Sequence, residues 1–248
     1  ECYFLSREYE LALNLSNKIE QLTPENLTLP DYRIHIFLMR DGNTIIARRE
    51  LEKAIRIGIT ESELNNQSFW TPPLMLDFFD EKYHEVLDYI SKSGWKGIMN
   101  PWAYQPASLH QAILYDCVGN REYARLYFDS TRNMLDSMLH EYPEEARLHS
   151  SLGLAYAGSG DKVNAIREGR KAVELMPIYK DAFFGTMRIW ELAWIYVMVE
   201  EYGQALEQLE ILLSHPSPFS VPYLLMDPRW KPLRNHSEFI RITEKYSH

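Results

Sequence analysis

The chain has 248 residues, 46% of them hydrophobic and 25% charged, with a formal net charge of −9, a composition ordinary for one large folded domain or an elongated array. The acidic balance argues against DNA, RNA or anionic membrane as main partner, because such binding rests on phosphates neutralised by Lys and Arg. With only two cysteines, Cys2 and Cys117, no disulfide framework is expected, and a cytoplasmic, reducing setting fits. The most apolar stretch, Ile189 to Val199, contains Glu191 and falls short of the roughly 18 apolar residues of a membrane span, so no membrane insertion is expected.

From the first residue onward, small residues recur early in what read as second helices of helix pairs: Ala12, Ala47, Val86, Ala124, Ala165 and Ala205, with gaps of 35, 39, 38, 41 and 40 residues. In the opening unit Tyr3, Ala12 and Pro24 fit the pattern, but the first helix would have to begin before Glu1. The chain is therefore expected to start inside a truncated repeat of a longer or processed protein. The second unit has Asp41-Gly42-Asn43 as its turn, then Leu51 and Ala54. Around Val86 the unit near 67–100 is degenerate, since Pro72 and Pro73 leave little room for a first helix. Asp77, Asp80 and Glu81 in it read as a solvated helix end rather than a catalytic carboxylate pair.

Around Ala124 come Ala112, Tyr115 and Phe128, with a long second helix running through Met138 and stopping before Pro143. The clearest unit spans Ala146 to Pro177, with Leu152, Gly153, Tyr156, Ala165, Ala172 and Pro177 at its key places. Two helices approach closely only where one side chain is nearly absent, which assigns Gly153 and Ala165 to the crossing and Tyr156 to filling the gap beside it. Gly158 to Asp161 is the expected turn, with Asp161 as N-cap. The next unit keeps Leu192, Ala193, Tyr196, Leu209 and Leu212.

After Leu213, Pro216, Pro218, Pro222, Pro228 and Pro232 predict extended or polyproline-like backbone. A short closing helix follows, with Asn235 and Glu238 as a capping box and Phe239, Ile242 and Tyr246 as its apolar stripe.

The run Leu152-Gly-Leu-Ala-Tyr156, Ala165-Ile-Arg-Glu-Gly169 and Ala172-Val-Glu-Leu-Met-Pro177, with the tail Ser220 to Arg234, resembles the C-terminal tetratricopeptide (TPR) region of bacterial multidomain signalling proteins. In that group such tails close chains that begin with an adenylate cyclase, a Ser/Thr kinase or a winged-helix regulator domain. The resemblance implies an all-α fold: a right-handed α-α superhelix, a TPR-type solenoid of about five to six helix-turn-helix repeats over residues 1–215. A Pro-rich segment and capping helix, 216–248, would pack on it. It further implies that the first helices line a concave face carrying Tyr32, Ile36 and Met39, then Leu109, Ile113 and Asp116, then Ser150, Leu154 and Ala157, then Trp190, Trp194 and Met198. Lys and Asn placements that clamp a C-terminal carboxylate are missing from that face.

Trp190 and Trp194 lie four residues apart and so share one helical face. They are either anchors for an incoming peptide or are covered by the chain's own tail, with Trp230 and Leu233 as candidates. The second reading is favoured because large exposed apolar patches are uncommon. None of the eight histidines (His35, His84, His110, His140, His149, His215, His236 and His248) falls in a zinc-binding spacing, so no metal or cofactor is expected. Gly158 and Gly160 form a helix-helix turn rather than a phosphate loop, since no strand precedes them and Val163 stands where a third glycine is needed. With no nucleophile elbow either, the expected role is a non-catalytic protein or peptide interaction, scaffolding or sensory module. The alternatives are self-assembly into a homo-oligomer through leftover N-terminal apolar surface, or a small-molecule sensor using the aromatic groove.

Overall fold

The computed structural model describes residues 2–23, 28–60 and 72–247. Glu1, Pro24, His248 and the 67–71 part of the degenerate unit lie outside them. Helices α1 (Cys2–Leu5) and α2 (Tyr9–Leu22) are followed by α3 (Leu29–Asp41), α4 (Ile45–Arg56), α5 (Pro72–Phe79) and α6 (Tyr83–Ser93). A two-stranded hairpin, β1 (Gly97–Met99) and β2 (Tyr104–Pro106), leads into α7 (Ala107–Cys117), α8 (Arg121–Glu141), α9 (Ala146–Gly158) and α10 (Lys162–Leu175). Then come α11 (Ala182–Met198), α12 (Tyr202–Ser214), α13 (Val221–Met226), a 3-10 turn (Pro228–Leu233) and α14 (Ser237–Lys245). The molecule is mostly helical, built from neighbouring helices packed as pairs, α1 with α2 through α11 with α12.

One turn geometry recurs through the chain. Arg7, Glu81, Gly119, Gly160 and Glu200 each hold a positive φ between two helices. The N–H of each bonds three residues back, to Phe4, Phe78, Asp116, Ala157 and Val197. The next N–H reaches back five, to the carbonyls of Tyr3, Asp77, Tyr115, Tyr156 and Tyr196. These bonds satisfy the open carbonyls at each helix end, and they hold even three non-glycine residues in the left-handed region that such residues seldom adopt. Five residues after each turn residue stand Ala12, Val86, Ala124, Ala165 and Ala205, the small residues that marked the repeat in the sequence. The same offset relates Gly42 to Ala47. All but Ala12 are buried.

Gly153 and Ala165 lie at a close helix approach, as the spacing predicts. A Cβ on Gly153 would lie 2.7 Å from Ile195 Cδ1 and 3.1 Å from both Ala165 O and Gly169 N. Asp161 caps α10, its side chain accepting from the Asn164 N–H at 3.1 Å. α11 is buried from Gly185 through Val197 because α9, α10, α12 and the 3-10 turn all pack around it, which accounts for a helix apolar on every side.

Four expectations are corrected. The β-hairpin was not anticipated; it forms because Gly97 takes φ +108 and brings its backbone against the carbonyl of Gln105, leaving no space for a Cβ. The Pro-rich tail is non-helical, with extended dihedrals at His215 and Ser220, only through residues 215–220; from Val221 it is helical rather than extended, since Pro222 and Pro228 occupy first turns, where a missing N–H costs nothing. The capping box at Asn235 is replaced by His236, whose Nδ1 accepts from the Glu238 N–H at 3.3 Å, so α14 starts one residue later. Asp77 and Asp80 are no solvated end: Arg48 bridges them at 2.7 and 2.5 Å and Thr44 donates to Asp80 at 2.5 Å, tying α4 to α5.

The tail spans from the last helix pair back to the first. Ser217 N–H donates to Leu5 O at 3.1 Å, α13 packs on α3, the 3-10 turn on α11, and α14 on α12. Arg7 donates to the carbonyls of Leu212, Leu213, His215 and Phe219 at 2.8 to 3.2 Å, and Ser220 Oγ to Met39 O. Lys231 reaches Glu81 at 2.5 Å.

Candidate functional site

The tail covers the tryptophan pair expected on the inner face. Phe219 stacks on Trp190 with ring centroids 3.9 Å apart and planes 3° from parallel. Trp230 meets Trp190 edge-on at 4.8 Å, and Tyr223 lies at 5.6 Å. Such contacts add to an already large apolar burial. Trp190 and Trp194 are buried, as are Ile36, Met39, Leu109, Ile113, Ser150, Leu154 and Ala157. Tyr32 and Met198 are partly buried and Asp116 is exposed. Of the eleven residues expected on the inner face alongside Ala157, only Asp116 is fully exposed; the tail accounts for this at Trp190 and Trp194, which Phe219, Trp230 and Arg229 cover.

The tail also delivers a cation to the aromatic face. The Arg229 guanidinium lies 4.9 Å from the Trp194 centroid, 5.2 Å from that of Trp190 and 5.7 Å from that of Phe78, within cation–π range. Its counter-charge is the fully buried carboxylate of Asp227 at 2.6 Å. Burial opposes the Arg229 charge, but Asp227 and Tyr223 outweigh it and hold the guanidinium above its ordinary value. Burial raises the Tyr223 phenol.

Arg229 borders two cavities. The larger, about 90 Å³, lies between α5, α6, the hairpin, α7 and α11, with apolar walls such as Phe78, Ile90, Ile113 and Trp194 and polar positions at Gln105, His110, Tyr223 and Arg229. The smaller, about 10 Å³, is bounded by Trp190, Glu191 and Gln105 among others and is near the size of one water. His110 Nε2 is buried without a hydrogen-bond partner, and the ring meets Trp95 edge-on at 5.0 Å. Burial, with Arg229 adding to it, lowers the His110 imidazole from 6.5 to about 4, so it is neutral at pH 7.

Behind the smaller cavity, Glu191 accepts from Gln105 Nε2 at 3.1 Å and pairs with Arg188 at 3.1 Å. Arg188 also donates to Trp102 O, while its Nε and Nη1 are buried without hydrogen-bond partners. Burial lowers the Arg188 guanidinium from its ordinary range despite Glu191.

Sequence reasoning did not single out Arg229, Asp227, Gln105, Arg188 or Glu191 as interior polar groups. The one available signal was Glu191 and Arg188 inside the most apolar helix, where an ionisable group needs a partner. Among the described residues no three His, Cys, Asp or Glu side chains stand close enough to hold a metal ion, and no helix is long and apolar enough to cross a membrane. No protein-family model matches the chain, and neither a curated protein nor a solved structure matches it.

Proposed function

We propose that the chain is a non-catalytic interaction module, a TPR-type right-handed solenoid that holds a protein or peptide partner for a larger bacterial signalling or transcription-regulatory protein. The observation that carries this reading is the repeated turn with a small residue five positions on. It is the mark of a unit that buries its apolar face only by stacking on its neighbours. Stacks of this kind offer extended surface rather than a single reaction centre.

With Trp190 and Trp194 covered by the tail, this reading assigns partner contacts to the outer helices, where Leu126 on α8 and Val163 on α10 are 62% and 78% exposed. Cross-linking mass spectrometry of the full-length protein in its native cells tests this. A partner cross-linked to α8 and α10, and lost in Leu126→Asp with Val163→Asp at unchanged melting temperature, is the expected result. Turnover of a substrate by the purified protein, abolished by one acidic substitution, would overturn it. A partner-free, concentration-dependent oligomer in sedimentation would replace it with self-assembly.

A further inference from the structure

We propose that the larger cavity, behind Trp194, is a binding site for a small uncharged carbonyl compound with an apolar body. Its volume of about 90 Å³ is several times the roughly 10–15 Å³ that one water needs and smaller than the ~150 Å³ apolar cavity that admits benzene. Ordered water needs two to four polar partners apiece, which walls such as Phe78, Ile90, Ile113 and Trp194 do not supply on most sides. An organic molecule of about five or six heavy atoms matches both the volume and the walls.

The polar groups select the rest of the ligand. Gln105 spends an amide N–H on Glu191, and Asp227 occupies part of the Arg229 fork. Arg229 also shares a side-chain hydrogen bond with Tyr223, which leaves the Tyr223 hydroxyl proton and the unpartnered His110 Nε2, in its Nε2–H tautomer, as the donors lining this cavity. A carbonyl oxygen is the acceptor such a set fits. Charge is already balanced: Asp227 neutralises Arg229 and the His110 ring is neutral at pH 7. A carboxylate or ammonium would therefore enter a largely apolar pocket without a counter-ion, at a cost in free energy.

The test uses cyclopentanone as probe, with cyclopentane and propionate as its apolar and anionic counterparts, on the whole chain. Cyclopentanone at tenfold above its dissociation constant should raise the melting temperature by about 3–6 °C and show NMR contacts to the methyls of Ile90 and Ile113. His110→Phe should weaken cyclopentanone by about tenfold while leaving cyclopentane unchanged, and Ile113→Phe should remove both by filling the space. Contacts to methyls elsewhere, absence of any shift at millimolar probe, or tighter binding of propionate would each overturn the assignment. The wild-type NMR contacts decide the matter even if a variant does not fold, and no outcome bears on partner binding by the outer helices.

Discussion

Gly153→Leu perturbs a close helix crossing, where α9 meets α10 and α11. Even the first carbon of the new side chain would stand 2.7 Å from Ile195 Cδ1 and 3.1 Å from two backbone atoms, Ala165 O and Gly169 N. The isoleucine tip can swing away, but the α10 backbone must shift by a few tenths of an ångström before the remaining leucine carbons are placed at all. Overpacking of this kind costs about 1–3 kcal/mol, and replacing a mid-helix glycine returns up to ~1 kcal/mol. The net is a loss of about 1–2 kcal/mol, or a fall in Tm of about 2–8 °C for a chain of this size. Urea and thermal unfolding measure it, with Ile195→Val as the partner in a double-mutant cycle, because removing Cδ1 relieves one of the contacts. An unchanged or higher Tm for Gly153→Leu, or strict additivity with Ile195→Val, would show that the crossing is not where the packing is limiting.

Trp230→Ala removes a fully buried ring from the face of Trp190 and should cost about 3–5 kcal/mol in urea unfolding; a loss below ~1 kcal/mol would mean that the tail contributes little. Arg7→Lys keeps the charge but loses the planar fork that serves four carbonyls at the end of α12 and the start of the tail, so residues 2–22 should be cleaved faster in limited proteolysis, with no change the contrary result. The buried His149–Glu168 pair, 2.6 Å apart, sets a pH signature. Burial opposes both charges, but each partner outweighs it, so His149 is raised above 6.5 and Glu168 lowered below 4.5. The histidine's contribution is complete below about 6.5 and lost as pH rises through its raised value. The carboxylate's is complete above about 4.5 and lost as pH falls through its lowered value. The Tm gap between the protein and His149→Gln should therefore be widest between about pH 4.5 and 6.5 and shrink on either side; a gap that is flat with pH would refute the ion pair.

The repeat was readable because it rests on volume: Ala165, Ala205, Ala124 and Ala47 are small where helices meet, and no other residue type serves there as cheaply. Tyr156 and Tyr196 were readable for the same reason, but not their backbone role as acceptors in the recurring turn. That turn was hidden because Arg7, Glu81 and Glu200 stand where glycine would have announced it, held there by two hydrogen bonds that the sequence does not display. In the tail, Pro222 and Pro228 misdirected the reading toward extended chain, since a proline forbids a helix interior yet suits a first turn, and the pattern alone does not separate these. The Arg229–Asp227 pair was illegible because its partners, Trp190, Trp194 and Phe78, come from distant helices, and only the path of the tail brings them together.

Everything said of the inner face depends on the segment 217–233 lying inside the stacked helices as part of the core. Amide hydrogen exchange of the intact chain tests it directly. The amides of Tyr223, Leu224 and Trp230 should be protected to the same degree as those of Trp190 to Tyr196 in α11, exchanging only with global unfolding. Exchange of the tail amides at open-chain rates while α11 stays protected would contradict the account and leave the aromatic face free for another chain.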